Sequence, residues 1–193
     1  MNNGKKQEII DKTIELCEKK AIPRITVNEI CKASGCTRNS FYYHFKNIYD
    51  VLDCAIQSRL AILNDCPPEQ YDKALFDVIE YTIMYKKVWK NLYKSIGQEA
   101  LRDYVIGRLH SVFEGYIKSR FAGRRISEMD LGIICTYFEE ALFGVLVKWI
   151  KGQSRGDTPD EMLVISDRIR TIFTGCLDLM LDNADMNKET HAD

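Results

Sequence analysis

Residues 26–45, TVNEICKASGCTRNSFYYHF, leave less conformational choice than any other part of this 193-residue chain. Thr26 is a good helix N-cap, and Glu29 stands three positions on. That is the spacing of a capping box, in which each side chain satisfies a backbone donor that would otherwise be orphaned. A helix therefore starts at Val27 and turns Val27, Ile30 and Cys31 to one face. It stops at Ser34-Gly35, because glycine accepts the positive φ that a sharp turn demands. Thr37 then caps a second helix, in which Phe41 and Phe45, four apart, anchor inward. Arg38, Asn39, Ser40, Tyr42 and Tyr43 are left largely outside.

That outer face carries a guanidinium, an amide, hydroxyls and phenols, and no carboxylate occurs between Glu29 and Asp50. These groups meet nucleic acid: Arg pairs with guanine O6/N7, Asn with adenine N6/N7, and hydroxyls and phenols with phosphate oxygens. Helix, glycine turn, helix is the helix-turn-helix arrangement, whose second helix enters the major groove.

The stretch closely resembles the TetR family of bacterial transcriptional regulators. The family pattern is Thr-Val-x-x-Ile-x-x-x-x-Gly, a short turn, and a helix ending Tyr-x-His-Phe. Here Thr26, Val27, Ile30, Gly35, Tyr42, His44 and Phe45 meet it. Similarity in detail covers about the first sixty residues; beyond them the chain resembles the family as a run of helices of suitable number and length. The resemblance implies that Tyr42 and Lys46 hold phosphates and that Arg38, Asn39 and Tyr43 face the bases. Thr26, Thr37, Ser40 and His44 complete the DNA-facing set, with His44 suited rather to packing with a hydrogen bond than to donating to phosphate. Two positions depart from the pattern. Ala21 stands where a glycine usually ends the first helix, which leaves that exit to Pro23, and Ile48 replaces a lysine whose phosphate contact Lys46 can take over.

The net charge of −1 hides an uneven division. Residues 1–50 carry nine Lys or Arg against six Asp or Glu, and the remainder carries 18 against 22, so the basic part is the part with the motif. The seven cysteines form no Cys-x-x-Cys pair, which reads as reduced thiols in the cytoplasm; Cys36, beside the second motif helix, is the alternative as a redox-sensitive position. No apolar run approaches the roughly 18–20 residues that span a bilayer.

Helical periodicity continues to the end, with no strand pattern, repeat or low-complexity segment. A first helix is expected at about 5–20, and residues 1–4 should be frayed. A fourth follows from Ile48 to the break at Pro67-Pro68, then helices at about 69–87, 88–96 and 98–121, with Gly97 as separator. Ser127 caps an eighth helix whose apolar residues cover more than one face. Thr158-Pro159-Asp160-Glu161 opens a ninth, with Ile165, Ile169, Ile172, Phe173, Cys176, Leu177 and Met180 in a near-heptad seam. The tail from about 183 has nothing to bury. The expected fold is thus all-α: an N-terminal three-helix helix-turn-helix domain, residues 1–50, and a C-terminal effector-binding and dimerisation bundle, 51–193, about nine helices in all. Two wide-striped helices from each of two chains make a four-helix homodimer interface, as the family resemblance also implies.

The middle of the chain is rich in aromatic residues. Tyr81, Tyr85, Trp89, Tyr93, Phe113, Tyr116 and Phe138, with His110 and Glu114 as polar groups, are candidates for a small-molecule effector site, against the competing role of filling the core. His110 and Glu114 lack a third metal ligand, and no nucleophile-base set or phosphate loop has recognisable spacing, so the expectation is a regulator rather than an enzyme, without cofactor or metal. Its expected partners are double-stranded DNA bearing a palindromic operator, a second copy of the chain and a possible effector. It would act as a ligand-released repressor; an activator, or a regulator controlled by a protein partner, is the alternative.

Overall fold

A computed structural model describes residues 3–64, 66–67, 70–153 and 158–189. The protein is all-α among these residues and divides into two compact units, Met1–Ala61 with Tyr85–Leu101, and Ile62–Met84 with Arg102–Asp193.

The first unit holds α1 (Asn3–Lys19), a 3-10 turn (Ile22–Arg24), α2 (Val27–Ala33), α3 (Arg38–His44) and most of α4 (Ile48–Asn64). α1 starts at Asn3, so the expected fraying reaches less far in, and Met1 and Asn2 lie outside the described residues. Ile9, Cys17, Ile22, Ile30, Phe41 and Val51 form its centre, each at most 1% exposed. The missing glycine at Ala21 has a structural answer: Ala21 is extended, with φ −60° and ψ 138°, and Pro23 sits in the first turn of the 3-10 helix, where its absent N–H costs nothing. The freed carbonyls at the end of α1 are closed from elsewhere. Asn91 donates from Nδ2 to the Cys17 oxygen at 2.7 Å and the Lys20 oxygen at 3.3 Å. That bond lies within the first unit, between residues 85–101 and the end of α1.

Asn91 belongs to α6 (Lys86–Ser119), which the sequence divides into two helices at Gly97. Gly97 has φ 81° and ψ 175°, so the helical path is interrupted there as expected, at a conformation open only to glycine. α6 is shared between the units, its first part in one and residues from Arg102 in the other.

The second unit contains α5 (Tyr71–Met84), the rest of α6, α7 (Glu128–Ile150), α8 (Pro159–Asn183) and a short α9 (Met186–Glu189). The expected caps are present: the Asp130 amide donates to Ser127 Oγ at 3.0 Å, and Thr158 and Glu161 form a capping box. Of the double proline, Pro68 lies outside the described residues, as does Glu69. Tyr71 donates its phenol to the Val112 carbonyl at 3.0 Å and stacks on Tyr116. Arg120 grips Asp178 through both carboxylate oxygens, 2.8 and 3.0 Å, and Arg124 Nε reaches Asp182 at 2.8 Å, which sets the register of α8. The tail differs from expectation. The Arg125 amide donates to Asp185 Oδ1 at 2.9 Å and the Met186 amide to the Arg125 carbonyl at 3.0 Å, so polar bonds rather than burial hold residues 185–187. Residues 190–193 lie outside the described set.

Candidate nucleic-acid interface

The turn between α2 and α3 is a Schellman ending. Ser34 is the C-cap, Gly35 follows at φ 59°, and the Cys36 amide donates back to the Cys31 carbonyl at 3.0 Å. Ser34 is fully buried and its hydroxyl donates to the Ile30 carbonyl at 2.8 Å. Two caps then aim the helices. The Glu29 amide donates to Thr26 Oγ1 at 3.3 Å while the Thr26 amide donates to Glu29 Oε2 at 2.9 Å, and the Ser40 amide donates to Thr37 Oγ1 at 3.1 Å. The hydroxyls of Thr26 and Thr37 therefore hold helix starts, and both residues remain exposed.

Glu29 also pairs with Lys20. The Lys20 ammonium, followed by the amide and hydroxyl of Thr26, lowers the Glu29 carboxyl to about 2 from an ordinary 4.5. A folded value below the unfolded one stabilises the cap fully above about 4.5 and loses that contribution as pH falls through about 2. Acid titration of α2 amide exchange should open through this window in the wild type and much less in Glu29→Gln. The carboxylate is solvent-screened, so the change is confined to local fraying; identical acid profiles would remove the cap's role.

On α3 the expected division of faces is present. Phe41 is 0% exposed, whereas Tyr42 is 50% and Tyr43 75% exposed; Arg38, Asn39 and Lys46 are exposed and Ser40 half-buried. Arg38 donates to Asn28 Oδ1 at 3.3 Å and lies 5.9 Å from the Tyr42 ring centre. Asn28 is an exposed α2 residue that the sequence reading passed over; its signal was its place on the outer face of the capped helix. Tyr49, 43% exposed in the first turn of α4, was likewise passed over. That turn is capped from both sides: the Asp50 amide donates to Asn47 Oδ1 at 3.0 Å and the Lys46 amide to Asp50 Oδ2 at 2.8 Å. His44 packs edge-on to Tyr43, ring centres 4.9 Å apart, but its buried Nε2 has no hydrogen-bond partner. Lys5 is engaged within the fold, donating to Glu8 at 2.6 Å and to the Ser34 carbonyl at 3.1 Å.

In the second unit a cavity of about 20 Å3 is lined by Leu75, Phe76, Ile79, Phe113, Tyr116, Ile117, Phe138, Leu142, Ile169, Phe173, Thr174 and Leu177. Of the effector candidates, the structure brings Phe113, Tyr116 and Phe138 together here. Tyr81, His110 and Glu114 are in the same unit without lining it, and Tyr85, Trp89 and Tyr93 belong to the first unit. His110 Nδ1 lies 2.8 Å from the buried Glu139 carboxylate, and Glu114 accepts from Lys118 at 2.7 Å. Phe173, placed by its spacing in the outer seam, instead meets Phe138 with ring centres 5.0 Å apart; Ile169 lines the same cavity. Burial raises the Cys17 thiol to about 12 and the Cys135 thiol to about 11, which leaves both as small hydrophobes. Among the described residues, no helix is long and apolar enough to cross a membrane.

Comparison with known proteins agrees with this geometry. Residues 9–53 match the family pattern for bacterial regulatory proteins of the tetR family, and residues 69–185 match that for a transcriptional regulator C-terminal region. The chain is similar to the "Uncharacterized HTH-type transcriptional regulator TtgW" of Pseudomonas putida, 33% identical over 54 residues, which are 28% of this chain and 40% of that relative. In fold it is similar to the dihydroxyacetone kinase operon activator DhaS, with a TM-score of 0.75 at 15% identity over 94% of this chain and 98% of the other. With a helix-turn-helix that presents an uncharged-polar and basic recognition face, and with both parts of the family pattern matched in order, this chain belongs to the TetR family of DNA-binding transcriptional regulators.

Proposed function

We propose that the protein binds a palindromic operator as a homodimer and acts as a repressor released by a small-molecule effector. The observation that carries the DNA-reading part is the division of α3: a fully buried Phe41 on one side, and Arg38, Asn39, Tyr42 and Tyr43 exposed on the other. Such a face offers donors and acceptors that replace its hydration when it meets phosphates and base edges. Residues 1–50 are the reading domain and 51–193 the control and pairing domain. Pairing is supported by Met129, Ile133 and Tyr137 on α7, spaced four apart and all more than half exposed, and by Val164, Ile172 and Leu179 on α8, exposed likewise. Apolar rows of this kind on two helices call for a partner surface.

Effector release rests on the aromatic cavity. At about 20 Å3 it holds little more than one water, for which about 10–15 Å3 suffices, so a ligand must open it by displacing Phe138 or Phe173. The small volume of this cavity is the observation that keeps the second reading, a regulator governed by a protein partner, alongside the first.

Selection of bound DNA from a random pool tests the DNA reading, since a recovered inverted repeat requires motif, dimer and spacing together. On that operator, Arg38→Ala should relax base preference and cost about 1–3 kcal/mol of discrimination, while Lys46→Ala should weaken all sequences alike and flatten the salt dependence. If both variants bind like the wild type, the recognition face lies elsewhere. Ligand-free protein that cannot be released by any apolar or aromatic compound, yet responds to a protein, would favour the second reading.

A further inference from the structure

The Schellman turn places Cys31 at the third position from the end of α2 and Cys36 two residues past the cap, the two sites whose side chains meet in this motif. The Cys36 amide donates to the Cys31 carbonyl at 3.0 Å, which holds the two residues side by side, and Ser34 Oγ lies 3.3 Å from Cys36 Sγ. Cys31 is buried and Cys36 half-buried, and both are free thiols. Thr37, the next residue, caps α3.

We propose that Cys31 and Cys36 form a reversible dithiol-disulfide site inside the helix-turn-helix, oxidised by a hydroperoxide, whose closure weakens operator binding. The proposal rests on the DNA-binding reading above for its consequence, and on this turn alone for its chemistry.

Cys36 is the accessible member and reacts first. Its thiolate attacks a peroxide oxygen; the S–O bond forms, the O–O bond breaks, and the hydroxide released takes up the thiol proton as water. The Cys31 sulfur then attacks the Cys36 sulfur; the S–S bond forms, the S–O bond breaks, and the second hydroxide leaves with the Cys31 proton as water. The dithiol loses two electrons, and the peroxide gains them. Burial raises the Cys31 thiol to about 11, so it is the poorer first nucleophile and acts in the second, intramolecular step, where proximity compensates for its small thiolate fraction.

A disulfide requires sulfurs about 2 Å apart, well inside the contact distance of two unbonded thiols. Closing it draws Cys36 toward the core of α2 and drags Thr37 with it. The start of α3 then tilts, and recognition contacts tolerate displacements of only about 0.5 Å. Cys54 and Cys66 are half-buried and Cys176 exposed, so they compete for oxidant but have no such neighbour in the turn.

Full-length protein should be treated with a small excess of hydrogen peroxide, alkylated with iodoacetamide and digested. The peptide containing both cysteines should be lighter by two hydrogens and unalkylated, and operator affinity by fluorescence anisotropy should fall about tenfold, the equivalent of 1.4 kcal/mol, returning with dithiothreitol. Cys36→Ser, at a half-buried position, should fold and keep its affinity in peroxide; Cys31→Ala, checked by thermal melting, should lose the disulfide and stop at a sulfenic acid on Cys36. Two alkylated thiols at 31 and 36 after oxidation of the other cysteines would overturn the proposal, as would a disulfide that leaves affinity unchanged. Reduced protein that binds no DNA would instead overturn the DNA-binding reading, and the mass readout would still decide whether the disulfide forms.

Discussion

Phe41→Ala should destabilise the first unit by about 3–5 kcal/mol, the cost of removing a buried aromatic ring and leaving a cavity. No solvent reaches Phe41; its ring meets Tyr42 edge-on at 5.4 Å and tilts against Phe45 at 5.9 Å. α3 is only seven residues long, too short to persist in water without packing, so the ring is its principal anchor. A change of this size lowers the melting midpoint of a domain of this length by at least about 12 °C. Tyr43→Ala, at a position 75% exposed, should leave the midpoint nearly unchanged while weakening DNA binding. A small shift in Phe41→Ala, measured by circular dichroism, would mean that α3 is held mainly by its caps.

If α7 and α8 pair two copies as proposed, Ile133→Asp combined with Ile172→Asp should give monomer in sedimentation and lower operator affinity by about 100-fold or more, because one half-site would then be bound without the other. The side chains are 59% and 55% exposed in the single chain, so carboxylates there leave each protomer's fold intact. In a dimer the same positions would be desolvated, and an unpaired buried charge costs several kcal/mol. Ile169, in the same apparent seam by sequence, makes a poor probe. It lines the cavity, and Ile169→Asp would damage the protomer before it tested the interface. A double variant that sediments as a dimer would place the pairing surface off α7 and α8.

The difference between Ile169 and Ile172 shows where sequence reasoning runs out. A helical stripe wider than one neighbour can cover announces two buried faces, but periodicity does not say which residues meet the chain's own core. The same limit governs the aromatic residues of the middle. Phe113, Tyr116 and Phe138 were legible as candidates, yet their neighbours at the cavity, Phe76 and Phe173, come from helices far away in the chain. Tyr85, Trp89 and Tyr93 belong to the first unit, in which Asn91 bonds to the end of α1. No local signal reports a bond across 74 residues.

By itself the sequence determined the all-α class, the capped starts at Val27, Arg38 and Pro159, the glycine turn, and the outward set on α3. Each of these depends on interactions within about four residues, where spacing and geometry are equivalent. Tertiary structure alone decided that α6 is shared between units, that Arg120 and Arg124 register α8, and that the cavity is nearly filled. Those features depend on which faces pack together, and burial is a property of the assembled helices rather than of any one of them.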